Sequence, residues 1–134
     1  MSFQRPEILY VEDQPEMVGL VRLALRQSGC EVFGALDGTE GLRLMRERKP
    51  TLVLLDVMLP GLDGWQVRDA MLADETLKKI PVVLVTARVP TGEVLQPRPL
   101  PPADAAVTKP FTMADLRSTV QQVLQKQSAP QQVM

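Results

Sequence analysis

Residues 52–65, LVLLDVMLPGLDGW, constrain the fold of this chain more than any other stretch. Leu52, Val53, Leu54 and Leu55 run without a polar break and stop at one carboxylate, Asp56. A short unbroken apolar run suits a strand buried on both faces, as in a parallel sheet covered by helices. Pro60, Gly61, Asp63 and Gly64 follow, residue types that turns use for fixed or positive φ. Asp56 is therefore expected at the carboxyl end of a central strand, where open parallel sheets place their ligand crevices. A strand-terminating Asp that merely caps a turn satisfies this stretch equally well.

The chain of 134 residues has the length of one domain, able to bury roughly two thirds of its unfolded surface. Its net charge of −1 gives no electrostatic argument for binding nucleic acid or an anionic membrane. No apolar run approaches the ~18 residues needed to span a bilayer, and the N-terminus lacks a signal peptide's apolar core. A single cysteine, Cys30, excludes an internal disulfide, and without histidine a zinc site has almost no ligands. A cytoplasmic protein is expected, with no direct nucleic-acid or membrane partner.

Residues 8–11 form a second buried apolar run, ending on the adjacent acids Glu12 and Asp13. Pro15 suits a first helical turn. Val18, Val21 and Leu25 recur at helical spacing, with Leu20, Leu23 and Ala24 expected to widen the apolar face and Gly29 to stop the helix. Residues 31–35 read as a short strand. Asp37 or Thr39 caps a helix that basic residues finish before Pro50. After the Leu52 strand and its turn comes a helix carrying Trp65, Val67, Ala70, Met71 and Leu72, then an apolar run, 82–85, ending on Thr86. Residues 105–107 are a weaker strand, followed by Thr108, Lys109 and Pro110. A last helix starts near Thr112, with Asp115 completing an approximate capping box and Leu116, Val120, Val123 and Leu124 as its inner stripe. From Lys126 the chain is polar and reads as a frayed tail, giving a domain over 1–127 and a tail over 128–134.

Strands and helices thus alternate, the signature of a doubly wound α/β parallel sheet. One segment breaks the pattern. Between Thr86 and Ala103 a fourth crossover helix belongs, yet Pro90, Pro97, Pro99, Pro101 and Pro102 crowd there. Each interior proline costs a helix about 3 kcal/mol. A mostly extended connection is expected, with at most a turn around residues 91–96.

Parallel strands laid side by side bring Glu12, Asp13, Asp56, Thr86 and Lys109 to one rim. Two carboxylates about 4 Å apart repel by roughly 4 kcal/mol at an effective dielectric near 20, so such a cluster calls for a hard cation. Oxygen ligands with room for water suit Mg²⁺. A lysine opposite leaves one carboxylate ionised as a nucleophile, and Thr86 with Lys109 can hold the oxygens of an incoming phosphoryl group.

With these residues in this order, the chain resembles the receiver domains of two-component response regulators, the CheY-like family. The resemblance rests on YVED at Glu12 and Asp13, LLDVMLPGLDG around Asp56, VTA at Thr86 and TKPF at Lys109 and Pro110. It implies a flavodoxin-like five-stranded sheet of order 2-1-3-4-5, and phosphorylation of Asp56 by a histidine kinase or a histidine phosphotransfer protein. It implies Mg²⁺ (or Mn²⁺) ligated by Asp13, Asp56 and the backbone carbonyl of Met58, with Glu12 acting through water. Thr86 and Lys109 would bind phosphoryl oxygens. No enzymatic activity is implied beyond self-phosphorylation and self-dephosphorylation.

The chain departs from that family on its output face. Receivers carry an aromatic three residues before the lysine, which turns inward when the threonine moves; here the position is Ala106. The fourth helix is disfavoured by proline. Phosphorylation with output by another route is expected, the proline-rich connection being one candidate. Met58 and Arg88 flank the phosphoryl position by the same resemblance, and a thioether cannot orient water strongly, so slow self-hydrolysis is expected. The rivals are a phosphorylation-independent module that keeps the fold, and an aspartyl phosphohydrolase, which would need an acid at Met58. No nucleotide-binding glycine motif is present. A free-standing receiver and part of a longer protein read alike, and a homodimer through an uncovered last strand and helix stays open.

Overall fold

The computed structural model describes residues 5–87 and 100–128. Five strands carry the chain through its middle: β1 (Glu7–Val11), β2 (Glu31–Ala35), β3 (Leu52–Asp56), β4 (Val82–Ala87) and β5 (Ala105–Lys109). All pair in parallel, in the order β2-β1-β3-β4-β5. This is the parallel α/β sheet expected from the apolar runs, in the flavodoxin-like order that the resemblance to receiver domains implied. The register sets Val11 beside Leu55, so the next residue of each strand, Glu12 and Asp56, leaves the sheet at the same edge.

Strand alternation divides the core in two. Leu9, Val11, Val53, Leu55, Val82 and Leu84 face the helices α2 (Gly38–Arg48) and α3 (Gly64–Leu72). Ile8, Tyr10, Leu52, Leu54, Val83 and Val85 face α1 (Pro15–Arg26) and the last helix, α4 (Met113–Ser128). Strands buried on both faces explain why their sequences are continuous apolar runs.

The helix ends follow from local chemistry. Pro15 opens α1. Asp37 is the cap of α2, accepting the Glu40 N–H at 2.8 Å, and Lys49 closes that helix in the left-handed region at φ 49°. Asp63 and Gln66 form a reciprocal capping box on α3. The Thr112 hydroxyl accepts the Asp115 N–H at 2.9 Å, starting α4.

Two readings of the sequence are corrected, and one residue it left unmarked is buried. Leu20 and Leu23 do not widen the buried face of α1: they are 54% and 61% exposed. On a wheel of 3.6 residues per turn they lie opposite Val18 and Val21. Lys126 is not part of a tail, since α4 continues through Ser128. Arg68, unmarked in the sequence, is buried on α3; its Nε donates to the Pro102 carbonyl at 2.6 Å. Burial pulls its guanidinium below its ordinary pKa, with Asp104 opposing. Asp104 accepts the Val82 N–H at 2.8 Å and so ties the end of the β4–β5 connection to the start of β4.

No helix separates β4 from β5 among the described residues. The expected turn at 91–96, Arg88, and the prolines at 90, 97 and 99 lie outside them, as do residues 129–134 of the expected tail. Among the described residues no helix is long and apolar enough to cross a membrane.

Gly64 opens α3 against the β3–α3 turn, and an added Cβ would land on the Val57 backbone. Gly19, inside α1, has nothing within 4 Å of the same position. Gly64→Ala is therefore expected to lower stability by about 1–3 kcal/mol, and Gly19→Ala to raise it by about 0.5–1 kcal/mol. Equilibrium urea unfolding reads both; effects of the same sign would contradict this packing.

Candidate functional site

The carboxyl edge of the sheet gathers the predicted residues. Glu12 follows β1 and is fully buried, Asp56 ends β3 and is 5% exposed, and Asp13 is open to solvent. One carboxylate oxygen from each lies within 4.8 Å of the others. Lys109, at the end of β5, crosses to them: its Nζ donates to Glu12 Oε1 at 2.7 Å and to Asp56 Oδ2 at 2.9 Å. The Met58 N–H donates to Asp56 Oδ1 at 2.8 Å, which folds the turn after β3 back over the carboxylate. Asp13 and Met58 line one open groove beside it, together with Trp65.

Thr86 stands near the end of β4 and is buried, as its place in the strand requires. Its hydroxyl contacts β5, 3.4 Å from the Val107 carbonyl and from Thr108 Oγ1. These contacts are long for O–H···O bonds, so the hydroxyl is loosely held. Ala106 is exposed on β5 opposite Leu84, and no ring stands there.

One residue of the cluster escapes a reading from sequence. Tyr10 belongs to the apolar run of β1 and is fully buried, yet its hydroxyl donates to Glu12 Oε1 at 3.0 Å. The signal that could have found it is spacing: residues two apart in a strand share a face, and a buried phenol needs a partner.

Burial dominates the electrostatics. It raises the Asp56 carboxyl above the usual carboxylate range, although Lys109 and the Met58 N–H pull the other way. Glu12 feels the same burial, but the hydrogen bond from Lys109 prevails and holds it below its ordinary value. The Glu12 carboxylate in turn raises Asp13. Lys109 loses hydration but gains two carboxylates, which raise its ammonium. One ammonium against three acids leaves the cluster short of positive charge. An exposed Asp13, an all-oxygen donor set and an open groove fit a hard divalent cation such as Mg²⁺, which keeps part of its water. Asp13 and Asp56 would hold it, with Glu12 behind them.

Because Lys109 neutralises two buried acids at once, Lys109→Met is expected to destabilise the fold by about 3 kcal/mol, the low end for breaking a buried pair. Adding Asp56→Asn should recover part of that loss. Urea unfolding at neutral pH measures both, and a Lys109→Met protein as stable as the parent would contradict the arrangement.

Comparison with known proteins agrees with this geometry. The family model for the response regulator receiver domain matches residues 8–121. The chain is 34% identical over 121 residues to the DNA-binding dual master transcriptional regulator RpaA of Synechocystis, covering 90% of this chain and 50% of that protein. It is 35% identical over 126 residues to the DNA-binding response regulator MtrA of Mycolicibacterium smegmatis, covering 94% and 54%. Among solved structures it is similar to the signal receiver domain of a signal transduction histidine kinase from Syntrophus aciditrophicus, with TM-score 0.78, 25% identity and coverage of 96% and 97%. It is also similar to the receiver domain of a sensor histidine kinase from Pseudomonas aeruginosa that has a magnesium ion coordinated in its active site cleft; there the TM-score is 0.76 at 28% identity, covering 90% and 98%.

These relatives overturn the expectation that nucleic acid is not a partner. That expectation rested on the net charge of −1. The chain spans about half the length of its DNA-binding relatives, and the charge of that half does not bear on what the other half contacts. The fold, the acid–lysine cluster and the family match agree, and the chain belongs to the response regulator receiver domain family.

Proposed function

We propose that Asp56 accepts a phosphoryl group from the phosphohistidine of a histidine kinase or histidine phosphotransfer protein, in a cytoplasmic two-component phosphorelay. The observation that carries this reading is the Lys109 ammonium held between Glu12 at 2.7 Å and Asp56 at 2.9 Å, at the rim where Asp13 is open to solvent. An Asp56 oxygen attacks phosphorus as the phosphorus–nitrogen bond breaks. The electron pair returns to the imidazole nitrogen, which takes a proton from solvent. Asp13, Asp56 and the Met58 carbonyl, with Glu12 through water, would hold Mg²⁺ or Mn²⁺, which when bound would supply charge neutralisation to the phosphoryl oxygens.

The remaining roles belong to side chains. Lys109 turns from the carboxylates to a phosphoryl oxygen, keeping its charge at the same corner. Thr86 gives up its two 3.4 Å contacts and donates to another oxygen. Met58, whose side chain is 47% exposed, offers no strong hydrogen bond to an attacking water, which favours a long-lived acyl phosphate. Beyond this self-phosphorylation and slow self-hydrolysis the domain is not an enzyme. Ala106 provides no ring to couple with Thr86, so the signal leaves by a route other than aromatic rotation. The DNA-binding relatives support a transcriptional effector as its recipient.

Incubation with acetyl phosphate and Mg²⁺ followed by intact-mass measurement tests the reading. A single phosphoryl adduct is expected, lost on omitting Mg²⁺ and absent from Asp56→Asn. No adduct on folded protein would contradict it and would assign the domain to phosphorylation-independent protein binding.

A further inference from the structure

We infer that Tyr10 is a positioning residue of this site: its hydroxyl anchors Glu12 so that Lys109 is free to leave it. The inference rests on the proposed phosphoacceptor reading and extends it to a residue on β1.

Glu12 is fully buried, and a buried carboxylate must be supplied with donors. Its Oε1 accepts from the Tyr10 hydroxyl at 3.0 Å and from Lys109 Nζ at 2.7 Å, whereas Oε2 receives the Gln14 N–H at a long 3.3 Å, and Asp13 makes a further side-chain hydrogen bond to the carboxylate. The short contacts from Tyr10 and Lys109 therefore both fall on Oε1. Lys109 has a competing commitment to Asp56 at 2.9 Å. If Lys109 moves to a phosphoryl oxygen, Glu12 loses its strongest donor while remaining in the core. Tyr10 is the donor that stays. It has no such competing commitment: among the described residues its hydroxyl is paired with Glu12 alone.

Tyr10 is built to hold that position. Its ring is packed with Ile8, Leu54 and Val85 in the core beneath α1 and α4, so the hydroxyl cannot swing to solvent. Burial and the Glu12 charge push its pKa above the ordinary phenol value, and the hydroxyl stands 3.0 Å from Glu12 Oε1 as its donor. Phenylalanine would fill the same space without the hydrogen bond. The hydroxyl therefore matters to Glu12, and through Glu12 to the cation and to Lys109.

The test is a double-mutant cycle on Mg²⁺ affinity in the unphosphorylated protein, read from the fluorescence of Trp65, the chain's single tryptophan, which lines the groove with Asp13 and Met58. Tyr10→Phe is expected to weaken Mg²⁺ binding about tenfold, the low end for a partner that orients a metal-site carboxylate. In a Glu12→Gln background the same change should cost less than about twofold, because the hydroxyl acts only through that carboxylate. An affinity unchanged by Tyr10→Phe, or an equal loss in both backgrounds, would overturn the inference while leaving the phosphoacceptor reading intact. A parent protein without saturable Mg²⁺ binding would remove both.

A second measurement needs no substitution at Tyr10. As the chain's single tyrosine, it is labelled alone by biosynthetic 3-fluorotyrosine. Its ¹⁹F resonance should move on Mg²⁺ saturation in the parent and stay in place in Glu12→Gln. The same movement in both proteins would contradict a route through Glu12.

Discussion

The Lys109 ammonium shared by Glu12 and Asp56 is the interaction on which the site depends. Two buried acids at one sheet edge repel unless a cation stands between them, and the cation here comes from another strand, 97 residues from Glu12 and 53 from Asp56 in the chain. Only the strand order places β1, β3 and β5 so that their ends converge. The site is therefore a consequence of topology: it exists when the sheet has assembled, with β1 and β3 held by core on both faces and β5 by the core beneath α1 and α4.

The same pairing sets the two buried carboxylates in different surroundings. Glu12 is pinned by Lys109 and Tyr10 and keeps its charge, whereas Asp56 is raised by burial and shares the lysine. Neighbouring carboxylates in different surroundings take different roles. Asp13 stays open to solvent and adds a carboxylate oxygen to the cluster from its exposed side. The ends of the strands thus bring a buried glutamate, a buried aspartate and an exposed aspartate to adjacent positions.

Much of this was legible in the sequence because buried parallel strands write themselves as apolar runs, and the residues that interrupt them must stand at their ends. Asp56, Glu12, Asp13, Thr86 and Lys109 all follow from that rule. What depends on side-chain direction was not legible. Leu20 and Leu23 look apolar enough for the core, but helical phase turns them outward. Arg68 carries no mark in the sequence of α3, yet the Pro102 carbonyl and Asp104 give a buried guanidinium its partners. Tyr10 reads as one more core residue, because nothing in an apolar run announces that its hydroxyl meets the acid two residues later. The nucleic-acid expectation failed for a different reason: net charge describes this chain alone, which spans about half the length of its DNA-binding relatives.

The most direct test of the central claim is a crystal structure of the protein with Mg²⁺ and beryllofluoride, which occupies an acceptor carboxylate as a phosphoryl group does. The account predicts beryllium on an Asp56 oxygen and the metal on Asp13, Asp56 and the Met58 carbonyl. Lys109 should be moved onto fluoride, and Thr86 turned toward it, while Tyr10 remains on Glu12. Beryllofluoride absent from Asp56, or Lys109 still bridging Glu12 and Asp56 with the analogue in place, would contradict it.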